Sequence, residues 1–188
     1  MRLFFCLELE QTLKQQIYKD FSHLRRSAVK VGWVKPDNLH VTLKFLGEIE
    51  PSQIGDLKVI TQRVIEESGV TTPIRTALNT AGFFPNPNKP RVVWIGPADQ
   101  PIEIVTLAEN LSEHLEKIGF NREQKPFITH VTLGRVKEQG KAVEELVQLM
   151  KRTPAFEYTT TFEYLTLMES ELTPHGSIYR PVFQIPFA

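Results

Sequence analysis

The feature that most constrains this chain is a tetrapeptide that occurs twice, His40-Val41-Thr42-Leu43 and His130-Val131-Thr132-Leu133, ninety residues apart. At average residue usage, the chance that one histidine is followed by the same three residues as another is roughly one in a thousand. Valine, threonine and leucine in this order, extended by Lys44-Phe45-Leu46 in the first copy, favour a strand, because branched and aromatic side chains suit a half-buried pleated surface. Strand alternation then sets the facing. His40 and Thr42 point to one side and Val41, Leu43 and Phe45 to the other, and His130 with Thr132 repeats this against Val131 and Leu133. A lone histidine at a strand start reads as a hydrogen-bonded structural residue. Two such faces, each an imidazole and a hydroxyl over an apolar back, point instead to a site.

The elements around the two copies recur in the same order. Arg2 to Glu8 reads as a strand, Gln11 to about Arg26 as a helix striped by Leu13, Ile17, Phe21 and Leu24, and Leu39 to Gly47 as the first motif strand. Val31-Gly32-Trp33-Val34-Lys35-Pro36 is a loop or short edge strand. Pro51 suits a helix start ahead of Ile54, Leu57, Ile60 and Val64, and Thr72 to Phe83 is extended. A rigid loop, Phe84 to Pro90, separates this half from a second run of strand (Arg91 to Ile95), helix (Pro101 to Ile118, capped by Gly119), motif strand (Thr129 to Val136) and helix (Lys141 to Met150). The tail adds two strands, Phe156 to Glu169 and Ile178 to Phe187, around a turn at Leu172 to Gly176. With 188 residues the chain has room for one core. The expectation is a single domain over 1–188, with an internal repeat of roughly 1–84 and 91–188.

Equal numbers of basic and acidic residues, 22 each, leave no bulk charge for gripping long nucleic acid, so such a substrate would be held locally. No stretch reads as a signal peptide or a membrane span, and a cytoplasmic monomer is expected. The single cysteine, Cys6, lies in an apolar strand and reads as packing. No third ligand at a characteristic spacing accompanies the histidines, so neither a metal nor a cofactor is expected.

If the halves pack about an approximate twofold axis, the two His/Thr faces converge. Two imidazoles and two hydroxyls suit attack on a phosphodiester. One neutral histidine takes a proton from the nucleophile, the other, protonated, gives one to the departing oxygen, and the threonine hydroxyls donate to non-bridging phosphate oxygens. Opposite protonation states imply a bell-shaped pH dependence near neutrality.

These residues resemble the 2H phosphoesterases, named for paired H-x-T/S-x motifs, and within them the bacterial and archaeal RNA 2′,3′-cyclic phosphodiesterases, also called 2′-5′ RNA ligases. The resemblance covers essentially the whole chain. It is carried by Arg2-Leu3-Phe4-Phe5, by Trp33-Val34-Lys35-Pro36-Asp37-Asn38-Leu39 running into the first motif and on to Gly47, by Pro90-Arg91-Val92-Val93-Trp94, and by Phe127-Ile128-Thr129 running through the second motif to Gly134-Arg135. Thr129 departs from the proline that relatives often carry before the second histidine. The resemblance implies an α+β fold of two pseudo-symmetric lobes, each an antiparallel sheet with helices on its outer face, and an active-site cleft between them. It also implies hydrolysis of a terminal 2′,3′-cyclic phosphate to a 2′-phosphate, with the reverse ATP-independent joining of RNA ends. RNA ends or small cyclic-phosphate nucleotides are then the substrates, His40 the proton donor and His130 the proton acceptor.

Around the motifs, several readings stay open. Guanidinium chemistry makes Arg135 a phosphate or base contact, whereas strict alternation puts it on the back face unless the strand bulges. Lys44 alternates onto the His40 face, although strand-end lysines are usually solvated. Phe5, Phe45 and Tyr179 can stack on a base or simply pack in the core. His23 is expected in solvent, His114 as a satisfied boundary residue and His175 as part of a turn. The competing class is a non-catalytic RNA-end or nucleotide-binding protein on the same scaffold.

Overall fold

A computed structural model describes residues 1–187. The chain runs β1 (Arg2–Glu8), α1 (Gln11–Asp20), β2 (Val31–Trp33), β3 (His40–Glu48), α2 (Ile54–Glu67), β4 (Ile74–Leu78), β5 (Thr80–Phe84) and β6 (Val92–Gly96). It continues through α3 (Ile102–Glu116), β7 (Val131–Val136), α4 (Ala142–Lys151), β8 (Tyr158–Phe162), β9 (Tyr164–Thr173) and β10 (Gly176–Pro186). The helix expected from Gln11 to Arg26 stops at Asp20 and tightens into a 3₁₀ turn over Ser22–Arg26. There the Arg25 guanidinium folds back over the Tyr18 ring and donates to the Tyr18 carbonyl, while Phe21 and Leu24 still reach the core. Gly119, at φ +98°, closes α3 as expected, with the Phe120 N–H returning to the Leu115 carbonyl at 3.1 Å.

The main sheet has the strand order β10-β9-β1-β3-β7-β6-β5, with β2 also on β7, and all of its pairings are antiparallel. β3 and β7 meet at one register pair, Val41 opposite Val131, and diverge from it, so two sheets open away from the crossing as two lobes. The lobes are not the two sequence halves. β5, from the first half, borders β6, and β9, from the second, borders β1 and carries β10 on its other edge, while β4 and β8 pair with each other in a separate two-stranded sheet. Each half therefore lends its last strands to the other's sheet. Both segments that read as one strand, Thr72 to Phe83 and Phe156 to Glu169, break where they change sheets, at Asn79 and Glu163. One apolar core runs beneath both lobes. It joins Phe5 and Leu7, Val41, Val131, Leu165 and Leu167 from the sheet to Ile17, Leu57, Leu111 and Leu146 from the four helices. Among the described residues, no helix is long and apolar enough to cross a membrane.

Both motif strands bulge at the same place. Along β3, Thr42 faces Cys6 and Lys44 faces Phe5, leaving Leu43 as the extra residue. Along β7, Thr132 faces Trp94 and Gly134 faces Val93, leaving Leu133 extra. A bulge shifts alternation by one, so Leu43 with Lys44, and Leu133 with Gly134, are buried, and Phe45 and Arg135 turn to the histidine face. Gly134 lets β2 lie close, since a Cβ there would sit 2.7 Å from both Trp33 Cε3 and Val31 Cγ1. Gly134→Ala is therefore expected to cost about 1–3 kcal/mol in urea unfolding. Gly55→Ala, at a helical glycine with open space around its would-be Cβ, should cost nothing or add up to about 1 kcal/mol.

Candidate active site

The crossing at Val41 and Val131 places the site. Both valines are fully buried, so alternation sends His40, Thr42, His130 and Thr132 to the opposite, cleft-facing side. Across an antiparallel pair in this register His40 and His130 are diagonal neighbours, which a regular ladder holds about 7–8 Å apart.

Each imidazole is locked the same way. His40 Nδ1 lies 2.7 Å from the Asn38 carbonyl and His130 Nδ1 2.7 Å from the Ile128 carbonyl, two residues back in each case. A carbonyl oxygen only accepts, so Nδ1 carries the hydrogen and Nε2 is left to the cleft. The Thr42 hydroxyl lies 2.8 Å from His40 Nε2, and His130 Nε2 has no protein partner among the described residues.

The surroundings of the two rings are aromatic. Phe4 and Tyr179 stand against His40 at ring-centre separations of 5.0 and 5.4 Å. Phe84 stands edge-on to His130 at 5.0 Å and is itself stacked on Trp94 at 4.8 Å. Burial among these rings disfavours the imidazolium, holding His40 down at about 4, with the charges of Lys14, His130 and Arg135 adding to the effect. His130 is lowered less, by burial and then by Arg135.

Arg135 belongs to the cleft. Its charge bears on His40, His130 and Tyr179 alike, and the bulge at Leu133 supplies the turn that alternation alone withheld. Lys44 does not belong there. The bulge at Leu43 buries it at 4% exposure, where its ammonium donates to the Asn121 carbonyl and pairs with Glu123 at 3.1 Å. Of the three candidate stacking rings, Phe5 is core, whereas Phe45 is 55% exposed beside Phe4 and Tyr179 borders His40.

His23 is not free in solvent, since its Nε2 lies 2.8 Å from the Thr153 hydroxyl. His114 is a satisfied boundary residue, 2.6 Å from Glu67. His175 sits exposed in the β9–β10 turn. Sequence reasoning gave Phe84 and Trp94 no part in the site. The available signal was Gly82, opposite Trp94, where a Cβ would come within 2.9 Å of the indole. Among the described residues, no group of three or more His, Cys, Asp or Glu side chains is placed to hold a metal ion.

A family model for LigT-like phosphoesterases matches this chain twice, over residues 7–94 and 95–179. The chain belongs to that family. It is 35% identical over 183 residues to a protein of Archaeoglobus fulgidus named RNA 2′,3′-cyclic phosphodiesterase, covering 96% of this chain and 97% of the relative. A Methanocaldococcus jannaschii protein of the same name is 29% identical over 184 residues, covering 97% and 98%. Among solved structures, a Thermus thermophilus protein superposes with a TM-score of 0.79 at 27% identity, covering 100% of this chain and 98% of that one. Escherichia coli LigT complexed with 3′-AMP gives 0.77 at 26% identity, covering 98% and 97%. The LigT-like fold of two lobes around a cleft is thus the fold of this chain.

The depressed proton affinity of His40 makes a prediction about stability. The unfolded chain binds a proton at this ring near pH 6.5 and the folded chain only near 4, so stability is lost as pH falls between them. In urea unfolding, His40→Asn should lose less stability than the parent between pH 7 and pH 4. Parallel curves for the two proteins would contradict the burial argument.

Proposed function

We propose that this chain is an RNA 2′,3′-cyclic phosphodiesterase, working as a single domain, that opens a terminal cyclic phosphate to a 2′-phosphate by acid–base catalysis between His130 and His40. The observation that carries this is the matched pair of imidazoles, each fixed through Nδ1 and each offering Nε2 to the same cleft. The names of the family's full-length relatives supply the substrate class.

In the forward reaction His130 Nε2, which has no protein partner among the described residues, takes a proton from water as its oxygen bonds to phosphorus. The P–O3′ bond breaks, and the departing O3′ takes the proton from His40 Nε2. When a 5′-hydroxyl takes the place of water, the same groups join RNA ends without ATP: His130 takes the proton of the 5′-hydroxyl as its oxygen bonds to the phosphorus of the cyclic phosphate, the P–O3′ bond breaks with a proton from His40, and a 2′-5′ linkage beside a free 3′-hydroxyl results. Thr42, Thr132 and Arg135 donate to the non-bridging oxygens, where charge builds up. Phe45 and Tyr179 offer faces for the base.

The electrostatics refine the pH expectation. With both imidazoles held below their ordinary value, the productive form, His40 protonated and His130 neutral, is a minority in the free enzyme. The bell in kcat/KM therefore moves to the acid side of neutrality, with its ascending limb near pH 4. Bound phosphate raises both groups, so the kcat profile should lie at higher pH.

The test is incubation of oligonucleotides ending in 2′,3′-cyclic phosphate, with and without chelator. A 2′-phosphate product is expected in both, and a 3′-phosphate product or no turnover would refute the reading. His40→Ala and His130→Ala should each lower kcat by about 10²–10⁴-fold while retaining binding of a 2′-phosphorylated oligonucleotide. Equal turnover in parent and variants, with binding intact in all, would mark the protein as a binder whose apparent activity is a contaminant.

A further inference from the structure

The two imidazoles are matched in motif, bulge and backbone lock, yet the chemistry asks opposite things of them. One of the buried positions at which the scaffold differs between them lies against the turn that locks His40. Lys14 lies on the core-facing side of α1 and is 7% exposed, while the residue ninety positions on, in α3, is Ile104, fully buried and apolar. The Lys14 ammonium donates to the Asp37 carbonyl at 3.1 Å. Asp37 lies in the 3₁₀ turn Pro36–Asn38, and the next carbonyl, that of Asn38, is the one that holds His40 Nδ1. The same turn is tied from the other side by Asn38 Nδ2 to the Ser177 carbonyl at 2.8 Å. In the second half, among the described residues, no lysine braces the corresponding segment, and Gln100 Oε1 accepts the Thr129 N–H instead.

We infer that Lys14 is a positioning residue that braces the turn holding His40 and places a buried positive charge on that side of the site only. The inference rests on the acid–base reading above. A buried cation on this side makes a protonated His40 a stronger acid toward the leaving oxygen, and Ile104 leaves the base side without that bias. The other groups around His40 do not duplicate it. From β1, Cys6 is a buried thiol pushed well above its ordinary value, and the Glu8 carboxylate is held by Thr166 and Gln184 at 3.0 Å each. Arg135 and His130 from β7 act on His40 too, but Arg135 bears on both histidines and so cannot distinguish them. Tyr179 from β10 is raised and uncharged at neutral pH.

The test compares Lys14→Met, Lys14→Gln and Lys14→Arg with the parent. Removing the charge in the Met and Gln variants should move the ascending limb of kcat/KM from near pH 4 upward by about one pH unit, leave the descending limb in place, and lower kcat about tenfold. Lys14→Arg should restore both. Uniform loss of activity with unmoved limbs, or no rescue by arginine, would overturn the inference. Titration of the histidine ring resonances by NMR gives a readout independent of turnover. His40 should titrate higher in Lys14→Gln and His130 unchanged, and equal movement of both rings, or of neither, would refute the role of Lys14 even if the protein acted on another substrate. Should Lys14→Met fail to fold, the Gln and Arg variants decide the matter alone.

Discussion

The site depends on one contact, the crossing of β3 and β7 at Val41 and Val131. Little backbone hydrogen bonding holds these strands together, because they share a single register pair before splaying. What holds them is burial of the two valines, each 0% exposed and each contributing about 1.5–3 kcal/mol, on the core side of the sheet. The same crossing fixes the facing of four polar side chains on the other side. Core packing and the geometry of the candidate site are thus two faces of one strand pair, and a slip of one residue in either strand would turn a histidine into the core and a valine into the cleft.

Around that crossing the two halves are matched in some places and altered in others. The imidazole locks, the threonines and the bulges at Leu43 and Leu133 are repeated. Two positions beyond each bulge the repeat gives Phe45 in one half and Arg135 in the other, so one lobe offers the cleft an exposed ring and the other a cation. One position before these, Lys44 reaches across to the Asn121–Glu123 segment, whereas Gly134 lets the corresponding Val31–Trp33 segment pair directly as β2. A matched pair of imidazoles inside an asymmetric frame suits the proposed reaction, in which attack and departure occur on opposite sides.

Much of this was legible in the sequence because it follows from local periodicity. The strand Arg2–Glu8, the helical stripes and the facing of His40, Thr42, His130 and Thr132 all depend on side-chain alternation or helical spacing. Two kinds of feature were not legible. Bulges are set by the partner strand, so Lys44 and Arg135 each took the face opposite to simple alternation. Exchange of strands between halves depends on topology, so a break such as Asn79, where the chain leaves β4's sheet for β6, leaves no composition signal. Lys14 was hidden for a related reason, since a lysine beside a helical stripe reads as solvated until the turn at Pro36–Asn38 is seen to lie over it.

The most direct measurement is the structure of the protein with a nucleoside vanadate bound, in which the metal-oxo centre stands in for pentacoordinate phosphorus. The account predicts His40 Nε2 and His130 Nε2 each about 3 Å from a different apical oxygen, on opposite sides of the vanadium. A vanadate touched by one histidine alone, or seated away from the Val41–Val131 crossing, would contradict it.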